Sequence, residues 1–395
     1  MTAPFRRRVL YLPGFDPIPP RRYRELYRRE GAEQARLSGY ELALQPAPPD
    51  PARGFAWDVR TRIAAQPAEA RIEVLVWSDI VQAQMQRGIA GTYLQLARTV
   101  WTYAATGTLW RLARLRRGPL IAALYPVAVL LCQLLLAALA AAAVGYGAAG
   151  LGLWLALPLA LAAGWSVLAL GRRLDHRLFA YYLLHDYAFT AAHGGAYPPA
   201  LEARLAEFRA TLQAALAEEP DEVLVVGHSS GAYLAVSLVA DLIRAGRRKG
   251  GPDLSLMTIG QVVPMASFLP KARRLRADLA LVARVPDLFW LDVSAPGDAC
   301  CFALCDPVAV SGVGGPDQRW PLVISAAYRQ SLSPEKQRQM RHRWFRRHFQ
   351  YLCAFDRPGD YDYFAVTAGP KTLAQRFAGR KQSPGRITRP ALARP

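Results

Sequence analysis

Two kinds of apolar run divide the chain. Short runs of strand length occur in "RRVLYLPGF", "YELALQP", "RIEVLVWSDI", "EVLVVG", "LSLMTIGQVV" and "LFWLDVSAP". Between them lie stretches with helical spacing: "RRYRELYRREGAEQARL", "ARGFAWDVRTRIAAQ", "PPALEARLAEFRATLQAALAEE" and the basic "KARRLRADLALVAR". This alternation predicts an α/β fold with a doubly wound, mostly parallel sheet. From Gly379 the tail "GRKQSPGRITRPALARP" is basic and Pro-rich, a composition that predicts disorder.

The long run is different in kind. Residues 118–171 contain no Asp, Glu, Lys, Arg or His. The segment divides at "GYGAAGLG" into about 25 and about 20 residues, each long enough at 1.5 Å per residue for a hydrocarbon core of roughly 30 Å. Burying such a pair in a soluble core instead needs protein on every side. Pro126 and Pro158 fit a membrane helix, where proline is more frequent than in soluble helices. Arg111, Arg114, Arg116 and Arg117 flank one end, and Arg172, Arg173 and Arg177 the other. Positive charge at both ends predicts a hairpin with both ends in the cytoplasm, in the inner membrane of a bacterial-type cell. Two crossings return the chain to the side it left, so residues 1–117 and 172–378 are expected to build one domain around the insertion.

Composition narrows the setting. An apolar fraction of 52% over 395 residues is ample for a full core. The net charge of +19 favours contact with anionic surfaces, and beside a membrane hairpin the expected partner is anionic lipid rather than nucleic acid. Five cysteines, three of them within Cys300–Cys305, make a poor secreted disulfide framework and predict a reducing compartment. That cluster has no CxxC pair or well-spaced histidine, so a metal site is not expected. The run after the N-terminal arginines is broken at Pro13 and Gly14, unlike a signal peptide.

Chemistry concentrates at "VLVVGHSSGAYLAV", where a β-branched run meets Gly227-His228-Ser229-Ser230-Gly231 and leaves as a helix. G-x-S-x-G alone is a weak signal, but strand, turn and helix together suit a nucleophile held on a sharp turn. Small residues two before and two after Ser229 let neighbouring backbone approach. The Ser230 N–H at the helix start would meet a developing oxyanion. A serine also needs a base, and the base an orienting carboxylate. Only His342 and His348 follow Ser229. His342 lies between two arginines, whereas His348 has Phe345, Phe349 and Leu352 at helical or adjacent spacing and is preferred. His228 reads as a packing residue. Asp298, in the loop after the strand "LFWLDV", is preferred as the acid over Asp292 within it and Asp306 beyond.

With "VLYLPGF" upstream, the two segments outside the hairpin resemble the α/β-hydrolase superfamily, of the serine esterase, lipase and thioesterase kind. The resemblance implies a Ser, Asp, His chain order and a second oxyanion N–H, by position that of Phe15, with no cofactor. One departure stands out: "SPEKQRQMRHRWFRRHFQYL" reads as helix where the family has its histidine on a loop. The expectation is a membrane-anchored serine hydrolase acting on acyl ester or lipid-like substrates. Acyl transfer by the same residues, or a non-catalytic scaffold retaining the fold, are the alternatives. Substrate identity and oligomeric state are not specified by the sequence.

Overall fold

A computed structural model describes residues 3–47, 54–246 and 250–391. Eight strands form one sheet: β1 (Phe5–Leu12), β2 (Glu41–Pro46), β3 (Phe55–Ile63), β4 (Gln66–Val74), β5 (Glu222–His228), β6 (Asp253–Ile259), β7 (Leu288–Ser294) and β8 (Leu322–Ser325). Their spatial order is β2-β3-β4-β1-β5-β6-β7-β8. All neighbours from β4 to β8 are parallel, and β3 runs antiparallel to both β2 and β4. The strands before the long apolar run and those after it meet at β1 and β5, paired from Arg7↔Glu222 to Leu12↔Gly227.

The helices used below are α1 (Arg21–Ser38), α2 (Ile89–Ala105), α3 (Arg117–Gly147), α4 (Leu153–Arg173), α5 (Ala180–Ala192), α6 (Pro199–Ala217), α7 (Gly231–Arg244), α8 (Arg273–Val282), α9 (Trp344–His348) and α10 (Tyr363–Ala368). The sheet has a core on each face. Val223 and Val225 of β5 join one with residues of α6, α7 and α8, and Leu224 and Val226 join the other with Tyr23 and Tyr27 of α1 and Phe364 of α10. Burial on both faces explains why β5 reads as a continuous apolar run.

Three expectations need correction. The segment 52–66 is not a helix: its described part forms β3 and turns at Ala64 and Ala65, both at positive φ, into β4. Trp57, Val59 and Thr61 are buried while Arg60 and Arg62 are exposed, so the governing period is two. The tail after Gly379 is ordered as far as Ala391. Ser383 N–H donates to Val323 O at 2.9 Å, Ile387 N–H to Leu304 O at 2.8 Å, and the Arg386 guanidinium pairs with Asp306. Fixed partners outweigh a disorder-prone composition, and residues 392–395 lie outside the described ones. The run 333–352 is not one helix but short helical pieces, Pro334–Gln339, α9 and a 3₁₀ turn Phe349–Leu352.

The charge-free run forms α3 and α4, both long and apolar enough to cross a membrane. Only 17% and 11% of their most apolar windows are buried, which separates them from core helices. They approach closely at small residues: a Cβ at Gly164 would lie 3.2 Å from Ala137 O. On α3, Gln133 accepts from Tyr93 of α2 and Tyr181 of α5, each at 3.3 Å, and donates to Leu168 O. This polar side chain ties the apolar pair to the helices beside the sheet.

Candidate active site

The sheet places its chemistry at one point. After β1 the chain crosses to β2 at the sheet edge and returns inward through β3 to β4 beside β1, and after β5 it builds outward on the other side through β6, β7 and β8. The carboxyl ends of β1 and β5 therefore flank the crevice where winding reverses, the position at which open α/β sheets bind ligands. Ser229 follows β5 there, and Pro13-Gly14-Phe15 follows β1.

Ser229 has φ 56°, a left-handed conformation that costs a non-glycine residue on the order of 1–3 kcal/mol and tends to mark functional sites. The turn is held by its N–H, which donates to Ile259 O at 3.0 Å, and by its carbonyl, which accepts from Ala232 N–H at 3.1 Å. Two flanking glycines are required by contact. A Cβ at Gly227 would lie 2.5 Å from Gly231 O, and one at Gly231 would strike the carbonyl oxygens of Leu12 and Pro13. The loop after β1 lies against the turn, since a Cβ at Gly14 would be 3.0 Å from Ser229 Cβ and 3.4 Å from its Oγ.

Phe15 and Ser230 are buried on either side of Ser229. Among the described residues, neither backbone N–H donates to a protein acceptor. Buried amides are nearly always paired, so these two N–H groups, in the loop against the Ser229 turn and in the turn itself, are candidates for an anion-binding pair. The Phe15 carbonyl is already fixed, accepting from Tyr182 Oη at 2.5 Å, and its ring packs against Trp77, Tyr182 and Phe189.

His348, the last residue of α9, is buried, and its Nδ1 donates to Asp298 Oδ2 at 2.7 Å. Asp298 is buried in the loop after β7. Its Oδ2 also accepts from Tyr351 Oη at 3.1 Å and its Oδ1 from Cys300 N–H at 2.9 Å. Burial alone would lift this carboxyl, but His348, with the hydrogen bonds from Cys300 N–H and the Cys301 thiol, holds it below its ordinary value. The histidine lies beside the serine turn. A Cβ at Gly260 would lie 3.2 Å from His348 Cε1, the His228 ring lies 4.8 Å from the His348 ring, and His228 Nε2 is 3.1 Å from His348 O. Burial, reinforced by His348, lowers the His228 pKa to about 3, so His228 is neutral and donates to that carbonyl.

The alternative residues lie elsewhere. His342 is exposed. Asp292 is buried within β7, accepts from Thr258 Oγ1 at 2.6 Å, and is pushed by burial up to about 8, so it is neutral at pH 7. Asp306 caps a short helix and pairs with Arg386. Cys301 and Cys305 are buried, as expected of small packing residues, but Cys300 is only partly so. Ligand atoms of Asp298, Cys300 and His348 lie within 4.8 Å of one another, a grouping that a metal ion could use. The direct His348–Asp298 hydrogen bond already accounts for two of the three. Sequence reasoning missed Tyr351 and Asp186. The latter sits on α5 and accepts from Ser230 Oγ at 3.0 Å, and neither residue stands in a motif.

Against models of known protein families, curated proteins and solved structures, the chain has no match.

Proposed function

We propose that the chain is a membrane-anchored serine hydrolase of the α/β-hydrolase kind that cleaves acyl esters or thioesters. One observation carries the reading: a serine held in a left-handed turn at the switch point of the sheet, beside a buried His348–Asp298 pair at 2.7 Å. His348 Nδ1 is committed to Asp298, which leaves Nε2 as the proton acceptor. Ser229 Oγ attacks the substrate carbonyl as Nε2 takes its proton. The N–H groups of Ser230 and Phe15 receive the oxyanion. Nε2 returns the proton to the leaving alcohol or thiol, and water then releases the acid by the same steps in reverse roles.

The membrane part of the reading rests on α3 and α4, and the substrate class on how they meet the site. Gly118 of α3 is so close to Ala299, next to Asp298, that a Cβ there would lie 3.1 Å from Ala299 Cα. Tyr125 of α3 lies 5.9 Å from Trp344, and Phe179, just after the pair, lies 4.7 Å from Phe345, both on the short helix that ends in His348. A site bordered by the base of a membrane hairpin receives substrates with apolar tails more readily than free polar ones. The Arg-rich flanks support a topology with both ends of the hairpin, and with them the sheet, on the cytoplasmic face.

The test is labelling of the detergent-solubilised full chain with a fluorophosphonate probe. Labelling should be abolished by Ser229→Ala and strongly slowed by His348→Ala. A folded wild type that does not label overturns the reading.

A further inference from the structure

Asp186 is a carboxyl that the triad does not use. It stands on α5, directly after the apolar pair, and its Oδ1 accepts from the hydroxyl of Ser230, the residue next to Ser229. Among the described residues no other protein group donates to this carboxyl, and its Oδ2 is not among the sealed, partnerless atoms. Asp186, Tyr182, Tyr187, Ser229 and Cys300 each keep part of their surface accessible, whereas Phe15, Ser230, Tyr233, Asp298 and His348 around them are buried. Three of the accessible residues are tied to the site by hydrogen bonds: Tyr182 donates to Phe15 O, Asp186 accepts from Ser230 Oγ, and Cys300 N–H donates to Asp298. Electrostatic influences connect the same groups: Asp186 acts on Cys300, Tyr182 and Tyr187, and His348 acts on Asp186.

The neighbouring hydroxyls do not occupy the remaining oxygen. Tyr182 donates to Phe15 O and Tyr103 of α2 to Met265 O at 3.1 Å. A carboxyl that is partly buried and has a single protein hydrogen bond keeps one oxygen for water or a substrate group to meet. Burial lifts it to about 7, partly offset by Ser230 and His348, so near neutral pH it can either accept or donate.

We propose that Asp186 is a specificity-determining residue of the acyl pocket, selecting substrates that carry a hydrogen-bond donor, a hydroxyl or an amine, a few bonds from the scissile carbonyl. The proposal rests on the hydrolase reading and adds to it. An apolar pocket alone would rank acyl groups by length. A carboxyl with one free oxygen ranks them by whether they complete its hydrogen bonding, and a site built that way discriminates against analogues lacking the donor.

The experiment compares kcat/KM of the detergent-solubilised full chain for three 4-nitrophenyl esters, butyrate, 3-hydroxybutyrate and 3-aminobutyrate, in wild type, Asp186→Asn and Asp186→Leu. The ratio of each donor-bearing ester to butyrate within one preparation is independent of the folded fraction, so a poorly folding variant still gives a result. Wild type should favour at least one donor-bearing ester by roughly tenfold, the size of one hydrogen bond to a carboxyl group. The preference should collapse toward unity in Asp186→Leu and fall in Asp186→Asn. Preference for the hydroxy ester identifies a neutral donor and preference for the amino ester a cationic one, and either supports the proposal. A wild type that labels with fluorophosphonate but shows ratios near one, or a preference that survives Asp186→Leu, overturns the proposal and leaves the hydrolase standing. A folded wild type that neither labels nor cleaves any of the esters overturns both.

Discussion

The hairpin and the sheet draw on the same residues, Leu, Val and Ala, and differ in what those residues face. In β5 every residue is buried, and Val225 and Leu224 supply opposite cores. In α3, Leu131, Leu135, Leu136 and Leu139 are each more than half exposed. The sheet hides its apolar surface within the protein, whereas the hairpin needs another solvent to cover it. The difference extends to polar groups. Around the site they are many and mutually bonded, as Asp298, His348 and Tyr351 show. Within the hairpin Gln133 stands almost alone and bonds to three neighbouring elements.

Substitutions separate the two regions experimentally. The largest effect is expected from Asp298→Asn, which leaves the shape of the site but removes the charge that orients His348. It should lower kcat/KM for a 4-nitrophenyl ester by on the order of 10³–10⁴-fold, while the same change at Asp292 leaves kcat/KM within about threefold. Equal losses at both positions would remove the distinction between a site carboxylate and a core carboxyl. Next, Val225→Asp should abolish folding in detergent and bilayer alike, at a cost above about 4 kcal/mol for an unpaired buried charge. In contrast, Leu135→Arg should leave the detergent-solubilised protein folded but oppose insertion by about 2.5–3.5 kcal/mol, read as loss from the membrane fraction. Normal partitioning of Leu135→Arg would count against a spanning hairpin.

Two further substitutions have smaller effects. Tyr351→Phe removes one hydrogen bond to Asp298 and should reduce kcat about fivefold with little change in KM, the size of one hydrogen bond near 1 kcal/mol. A change in KM alone would place Tyr351 outside the positioning of the acid. The smallest concerns pH. The fold raises Asp292 to about 8, so between the ordinary carboxylate range and pH 8 the native state holds a proton that the unfolded chain has released. Stability contributed by this group therefore falls as pH rises through that window. Asp292→Asn should flatten the decline of Tm between pH 6 and 9, and an unchanged slope would assign the decline to other groups.

Much of this was legible in the chain because it rests on local rules. Uninterrupted apolarity from 118 to 171 sets the hairpin, and Gly227 and Gly231 mark the turn because a side chain at either would meet backbone. The preference for His348 over His342 came from neighbouring aromatics, and the structure buries the one and exposes the other. Two readings fail for different reasons. The segment "FAWDVRTRI" alternates Phe55, Trp57, Val59, Thr61 and Ile63 with Asp58, Arg60 and Arg62, a period of two that is itself a strand signal and pairs with β4, so the helix reading overlooks a local pattern. The tail has a disorder-prone composition, yet Val323, Leu304 and Asp306 supply its hydrogen bonds.

Most of the elements, the apolar hairpin, the turn that carries Ser229 and a short roster of candidate partners follow from residue order alone, because each depends on residues within a turn or two of one another. Packing in three dimensions selects Asp298 over Asp292 as the partner of His348, brings the loop that carries Phe15 against the Ser229 turn, and sets Asp186 against Ser230. Those pairs are separated by tens to hundreds of positions, and which of them meet is fixed by strand order and by the docking of α5 and α9. No periodicity along the chain encodes that order.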